Sequence, residues 1–117
     1  MHELSLMEGV RDLALLHAGN NDAVAITGIT LRVGQLAGVE PEALALAFEV
    51  VMAGTIAAAA QLRIEPVAPL WGCAFCDADL LPQAGWGDKL CPSCGGSAIH
   101  LRAGAELELA SLDLTVA

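Results

Sequence analysis

Cys73-Ala74-Phe75-Cys76 and, further along the chain, Cys91-Pro92-Ser93-Cys94 are the stretches that decide the fold of this protein. Together they hold all 4 cysteines of the 117-residue sequence. A Cys-x-x-Cys turn places two thiolates on one side of a tight loop, and two such turns can close a tetrahedron of sulfur around one metal ion. Because Zn(II) has no redox chemistry and four sulfurs leave no open position, we expect a structural zinc site at Cys73, Cys76, Cys91 and Cys94.

Other uses of the four cysteines stay open at this point. They could pair as disulfides, although no basic segment precedes an apolar one at the N-terminus, which favours a reducing compartment. A redox Cys-x-x-Cys motif would normally open a helix after a strand and would need no second copy. A rubredoxin-like iron site uses similar cysteine pairs, and the sequence does not separate iron from zinc.

Charge and composition restrict the partners of the chain. The formal net charge is -9, from 5 Lys plus Arg against 14 Asp plus Glu, and aromatic residues make up 3% of the sequence. Such a chain has neither a basic patch for phosphates nor an aromatic platform for bases, so we expect no nucleic acid partner. Its apolar runs fall far short of the ~20 residues of a membrane span, so we expect no membrane insertion and a soluble cytoplasmic protein.

The first residues, Met1-His2-Glu3, offer a second place for a metal. The imidazole of His2 lies beside the α-amine of Met1, with one backbone amide nitrogen between them. The amide of Glu3 can complete a planar set of four nitrogens, which is a geometry that Ni(II) and Cu(II) favour. The alternative is a frayed terminus without a ligand, and position alone does not decide between the two.

Hydrophobic periodicity predicts two helices and three strands around the cysteine segment. The helices are expected at residues 4–17 and from residue 41 up to Gly54, and the strands at residues 24–33, 61–65 and 105–116. Along the last strand the leucines change phase, which requires a bulge near Ala110 and Ser111. The sequence therefore predicts an α+β fold, in which two helices pack on a three-stranded, mostly antiparallel sheet and a zinc-ribbon domain is inserted.

The prolines at positions 66 and 69 mark the boundary of this insertion. We expect one domain of residues 1–66 plus 105–117 and a zinc-ribbon domain of residues 67–104, which should lose its fold without zinc. Gly95, directly after the second cysteine pair, permits a positive φ, whereas the first pair has Asp77 at the equivalent place. Because an inserted ribbon lets two molecules exchange elements, both a monomer and a swapped dimer stay open.

Several motifs together resemble a known family. They are Met1-His2-Glu3, the Gly-x-Leu-x-x-Val-Glu loop from Gly34 to Glu40, Ala53-Gly54-Thr55-Ile56 and the paired Cys-x-x-Cys turns, in this order. The set resembles the nickel metallochaperones of hydrogenase maturation, the HypA/HybF family, over nearly the whole chain. The resemblance implies a protein that delivers Ni(II), as transferred cargo, to the large subunit of [NiFe]-hydrogenase together with a nickel-handling GTPase. Relatives in some organisms also serve urease.

The resemblance also implies functional residues. It places nickel at His2, with the amine of Met1 and the amides of His2 and Glu3 nearby, and it gives Glu3 a tuning or contacting role. Glu40, at the start of the second helix, matches an acidic position implicated in some relatives. The family's zinc ligands fall on the four cysteines.

Histidines are absent from one place where some relatives carry them, directly after a zinc cysteine. Here these positions hold Asp77 and Gly95, so the pH response linked to those histidines is not carried over. His17 and His100 are expected to be ordinary structural or surface residues.

Two further functional classes compete with a nickel carrier. A zinc-ribbon adaptor for complex assembly without nickel transfer would leave the N-terminus without a role. An enzyme is disfavoured, because the closed cysteine set has no vacant position and no nucleophile–base pair is evident.

Overall fold

The computed structural model describes residues 2–80 and 89–117 of the chain. The helices are α1 (His2–Asn20) and α2 (Pro41–Met52). The strands are β1 (Ala23–Gly34), β2 (Gln61–Val67), β3 (Leu70–Cys73), β4 (Asp79–Leu80), β5 (Ile99–Ala103) and β6 (Leu107–Val116). Helix α1 extends beyond both of its predicted ends, and the fully buried Ala18 shows that its last turn still packs on the core.

The first sheet has the order β2-β1-β6, and both helices pack with it around one core. Strand β1 pairs antiparallel with β6 and parallel with β2, so the sheet is mixed. The expected mostly antiparallel pairing holds for the longer β1–β6 pair. The β1–β2 pair is parallel because helix α2 carries the chain back across the sheet before β2 begins. The predicted α+β fold class, with two helices on a three-stranded sheet, is confirmed.

The predicted bulge lies in β6. Thr30 is opposite Ser111 and Leu31 is opposite Leu109, so Ala110 is the extra residue on β6. An extra residue restores the inward direction of the side chains that follow it. The leucines on both sides of the bulge consequently pack against the same core: Leu107, Leu109, Leu112 and Leu114.

The core between the helices and the first sheet is made of aliphatic side chains and methionines. Met7 of α1, Leu44 and Met52 of α2, and Ile29 and Leu31 of β1 are all at most 1% exposed. Full burial of a side chain of this size stabilises the fold by about 1.5–3 kcal/mol.

Within residues 2–80 and 89–117, neither helix has the length and hydropathy that crossing a bilayer requires.

The second sheet, with the order β4-β3-β5, is antiparallel and is inserted between β2 and β6. In the part of this insertion that the structure describes, the buried cluster consists of Cys73, Leu80 and Cys91, with Trp71 and Ile99 packed against it. The two sheets thus have separate cores. The division into residues 1–66 plus 105–117 and residues 67–104 stays a prediction, and β2 continues in the first sheet to Val67, one residue past the predicted boundary.

The chain crosses between the two sheets at a tight junction. The amide of Gly34 donates to the carbonyl of Glu106 at 2.7 Å, and the amide of Leu36 donates to the carbonyl of Gly104 at 2.6 Å. A Cβ on Gly34 would lie 2.1 Å from the carbonyl carbon of Gly104, so only glycine fits there. The loop that leaves this junction ends at Glu40, so it connects the base of the inserted sheet with the start of α2.

Candidate metal centres

The four cysteine sulfurs form one cluster. Sγ of Cys73 lies 3.6 Å from Sγ of Cys94, and Sγ of Cys76 lies 3.7 Å from Sγ of Cys91. All four sulfurs lie within 4.8 Å of one another. A tetrahedral site with Zn–S bonds of about 2.3 Å separates its sulfurs by about 3.8 Å, so the cluster fits zinc. A disulfide would need about 2.05 Å, and the four thiols are free.

Each Cys-x-x-Cys turn forms a knuckle, the first at residues 73–76 and the second at residues 91–94. The amide of Asp77 donates to the carbonyl of Cys73 at 2.9 Å, and the amide of Gly95 donates to the carbonyl of Cys91 at 2.8 Å. Both donors have a positive φ, of 61° at Asp77 and 73° at Gly95. Asp77 thus adopts the left-handed conformation that glycine permits at the equivalent position, and the two knuckles repeat one backbone pattern.

Backbone amides favour the thiolate at the first cysteine of each knuckle. The amide of Cys94, and more weakly that of Ser93, lower the pKa of Cys91 to about 7 against the opposing effect of burial. The amide of Cys76 lowers the pKa of Cys73 in the same way. These two sulfurs therefore favour the thiolate form, which is the form that binds a cation.

The second cysteine of each knuckle holds its proton more strongly. The amide of Gly96 acts to lower the pKa of Cys94, but the hydrogen bond with the Cys73 sulfur, together with burial, raises it to about 12. The pKa of Cys76 is also raised, because burial and the hydrogen bond with Cys91 outweigh the amide of Ala78. A cation that binds all four sulfurs as thiolates would replace the protons that the second cysteine of each knuckle holds.

His2 and Glu3 begin α1, and Met1 lies outside the described residues. The His2 side chain is 59% exposed, and its Nδ1 lies 4.0 Å from Oε2 of Glu3, which is 23% exposed. The first amides of a helix have no intrahelical acceptor, so the amide of His2 is available to a ligand, while the amide of Glu3 faces the Glu3 carboxylate. The imidazole therefore projects into solvent from the first turn of a 19-residue helix.

Glu40 lies at the start of the neighbouring helix, α2. It is the N-cap residue of α2, has an extended backbone with φ −90° and ψ 124°, and makes no capping bond with its side chain. The backbone amide of Glu3 itself lowers the pKa of the Glu3 carboxyl, burial opposes this effect, and the amide of Glu40 lowers the pKa further. The structure thus brings the Glu3 carboxylate to the backbone of Glu40, while the side chain of Glu40 is exposed.

An apolar groove continues from this terminus along α2. It has a volume of about 350 Å³ and is lined by Glu3, Leu4, Ala43, Leu46, Ala47 and Val50. Leu46 and Val50, one helical turn apart, are 66% and 67% exposed. The candidate nickel residues therefore adjoin uncovered apolar surface.

Arg102 of β5 contacts two aspartates beside the cysteine cluster and was not among the residues predicted from the sequence. Its Nη2 donates to Oδ1 of Asp77 and its Nη1 to Oδ1 of Asp79, both at 2.6 Å. The sequence feature that could have pointed to Arg102 is Asp77, because a non-glycine residue at a left-handed position is uncommon and calls for a stabilising partner. His17 and His100 are exposed, as expected for surface residues, and neither belongs to the cysteine cluster.

Comparison with known proteins gives one consistent family. The family model described as "Hydrogenase/urease nickel incorporation, metallochaperone, hypA" matches residues 1–114. The chain is 40% identical to the hydrogenase maturation factor HypA of Picosynechococcus sp., a match that covers 97% of this chain and 99% of the relative. It is 34% identical to the protein of the same name from Rhizobium leguminosarum bv. viciae, with the same coverage.

Two solved structures share the fold. The solution structure of the Ni metallochaperone HypA from Helicobacter pylori matches with a TM-score of 0.74 at 22% identity and covers 98% of both chains. A second solution structure, titled HypA protein, matches with a TM-score of 0.82 at 24% identity and covers 100% of this chain and 98% of the other. At these identities the likeness shows the arrangement of the backbone.

Proposed function

The chain belongs to the HypA family, the nickel incorporation metallochaperones of hydrogenase and urease, and on this premise we propose that it is a nickel carrier. It binds Ni(II) at its N-terminus and delivers the ion for maturation of [NiFe]-hydrogenase. The observation that supports this function is the exposed imidazole of His2, placed at the first turn of a helix that packs on the core from Met7 onward. No chemical turnover is involved, since the nickel ion is cargo.

The proposed nickel ligands are nitrogens. They are the α-amine of Met1, the amides of His2 and Glu3, and the imidazole of His2, in the planar set that Ni(II) favours. The Glu3 carboxylate, 4.0 Å from Nδ1 of His2, contributes negative charge beside this set. The backbone amide of Glu40 helps to lower the pKa of the Glu3 carboxyl and so favours its charged form beside this set.

The position of the proposed ligands at residues 1–3 explains how nickel can be released. A site built from the first residues shares little with the core, so an approaching acceptor can lift the terminus off the ion while α1 keeps its packing. The buried residues of α1 begin at Met7, beyond the proposed ligands. The carrier can therefore surrender nickel without unfolding.

The cysteine cluster has a different role in this proposal. Cys73, Cys76, Cys91 and Cys94 hold Zn(II), which supplies cross-linking between the two knuckles and has no open position for chemistry. The ion stays with the protein during nickel transfer. Its role is to keep β3, β4 and β5 folded, since the described residues of this sheet bury few apolar side chains.

The proposed partners are proteins of the cytoplasm: a nickel-handling GTPase and the large subunit of [NiFe]-hydrogenase. The groove along α2 is where we place the GTPase, because it adjoins Glu3 and exposes Leu46 and Val50. The net charge of -9 suits a partner with basic residues around an apolar contact. Docking here would bring the acceptor directly to the nickel ligands.

Replacing Leu46 with aspartate is expected to lower nickel transfer to the GTPase by about tenfold or more, because a charge would enter the apolar contact. Nickel and zinc content should not change, since Leu46 is 66% exposed and contributes little to the core. The measurement is the rate at which nickel-loaded, zinc-replete protein passes ⁶³Ni to the GTPase.

Leu16→Asp is the matched control, because Leu16 is 59% exposed near the other end of α1. It should transfer nickel at the rate of the unchanged protein. Equal rates for Leu46→Asp and Leu16→Asp would remove the groove from the proposal. A protein that binds nickel and passes none to the GTPase or the large subunit would contradict the carrier function itself.

A further inference from the structure

The first knuckle is supported from outside by a branched ion pair. Arg102 donates to Asp77 and Asp79, both at 2.6 Å, and its Nη2 lies 3.5 Å from the carbonyl oxygen of Cys73. The side chain of Arg102 is only 23% exposed, whereas those of Asp77 and Asp79 are 93% and 68% exposed. One half-buried guanidinium thus holds two otherwise solvated carboxylates beside a proposed zinc ligand.

Gly72 of β3 leaves space for the side chain of Arg102 to cross the strand. Arg102 lies over Gly72, the residue before Cys73, where a Cβ would come within 1.9 Å of Nε of Arg102. Any larger residue at position 72 would displace the arginine. Gly72 therefore lets the guanidinium cross the strand and reach the knuckle.

The two knuckles differ in their need for this support. At the left-handed position the second knuckle has Gly95, which adopts a positive φ without strain. The first knuckle has Asp77, with a φ of 61°, and a residue with a Cβ is less stable in that conformation. The amide of Asp77 must nevertheless point to the carbonyl of Cys73 for the knuckle to close. Arg102 binds the one knuckle whose backbone is strained.

We propose that Arg102 is a positioning residue for the zinc site, which holds Asp77 in its left-handed conformation and thereby keeps the first knuckle closed around the metal. Its action is positional, because the two carboxylates that it binds outweigh its single positive charge. This inference rests on the proposed zinc site and is independent of nickel transfer. It gives Asp77 a role as the attachment point of the arginine.

Zinc release measures this role. Arg102→Gln is expected to lose zinc to an excess of a chromogenic chelator about tenfold faster than the unchanged protein, at the low end of what outer partners of a metal site contribute. In zinc-loaded Arg102→Gln, hydrogen exchange of the Asp77 amide should become faster, while exchange of the Gly95 amide stays the same. This local difference separates a positioning role from general destabilisation.

Asp77→Gly provides a rescue. Glycine needs no support at a positive φ, so Asp77→Gly alone and Asp77→Gly combined with Arg102→Gln should both release zinc near the rate of the unchanged protein. If Arg102→Gln alone retains too little zinc to be measured, the combined variant tests the inference instead, because it should hold zinc as the unchanged protein does. Arg32→Gln is the control, since it breaks an exposed ion pair with Glu108 on the first sheet, 3.6 Å long, and should leave zinc release unchanged.

Two outcomes would overturn the inference. One is zinc release from Arg102→Gln at the rate of the unchanged protein. The other is equally fast release from Arg102→Gln with and without Asp77→Gly, which would mean that Arg102 acts on something other than the Asp77 backbone. An unchanged protein that holds no zinc would contradict the proposed zinc site instead, so the two failures are distinguishable.

Discussion

Replacing His2 with alanine is expected to abolish tight nickel binding, with a loss in affinity of about 100-fold or more. The substitution removes the imidazole and with it one fused chelate ring, and a direct ligand should matter more than the 10–100-fold typical of outer partners. Zinc content and thermal stability should stay the same, within about 0.5 kcal/mol, because the His2 side chain is 59% exposed. Calorimetric titration of the zinc-loaded protein with Ni(II) measures the effect.

His17→Ala is the matched control for this experiment. His17 is exposed on the same helix, in its last turn, and should bind no nickel in the carrier. If His2→Ala bound nickel as tightly as His17→Ala, the terminus would have no role. The zinc-ribbon adaptor without nickel transfer would then be the better account of the chain.

Loss of zinc is expected to unfold the inserted sheet and to leave the first sheet intact. Among residues 67–80 and 89–104, the buried cluster consists of Cys73, Leu80 and Cys91, which is too little apolar burial to hold the sheet without a metal. Structural zinc in small modules contributes about 10–16 kcal/mol of apparent binding free energy. Hydrogen exchange after chelation should therefore show fast exchange throughout β3 and β5, and continued protection of β1.

Two single substitutions separate the metal from ordinary packing. Cys91 is 2% exposed, whereas Cys76 is exposed, yet both are proposed ligands. Cys76→Ser and Cys91→Ser should unfold the inserted sheet to the same extent if zinc holds it. If Cys76→Ser left the sheet folded and only Cys91→Ser unfolded it, packing of the buried sulfur would be the cause and the structural zinc site would be wrong.

The sequence predicted the features that local chemistry fixes. The spacing of Cys73, Cys76, Cys91 and Cys94 could be read directly, because a Cys-x-x-Cys turn constrains its own backbone. The bulge at Ala110 was also predictable, since the leucines on either side could not otherwise face one core. Cysteine spacing was enough for the first feature and leucine periodicity for the second.

Features that depend on distant residues were not predictable in the same way. The parallel pairing of β1 with β2 depends on how α2 crosses the sheet, which periodicity within a strand does not contain. The link between Arg102 and Asp77 joins residues 25 apart in the chain. The approach of the Glu3 carboxylate to the backbone of Glu40 likewise arises only when α1 packs beside α2.

Nickel titration of the zinc-loaded protein with its native N-terminus, beside a version extended by a few residues, tests the central claim most directly. The extension converts the α-amine of Met1 into an amide and leaves His2, Glu3 and the four cysteines unchanged. We expect the native protein to bind Ni(II) in addition to its zinc, and the extended protein to bind it about 100-fold more weakly or not at all, since a primary ligand is lost. Equal nickel binding by both proteins, or no nickel uptake by the native one, would contradict a nickel site built on the first residues.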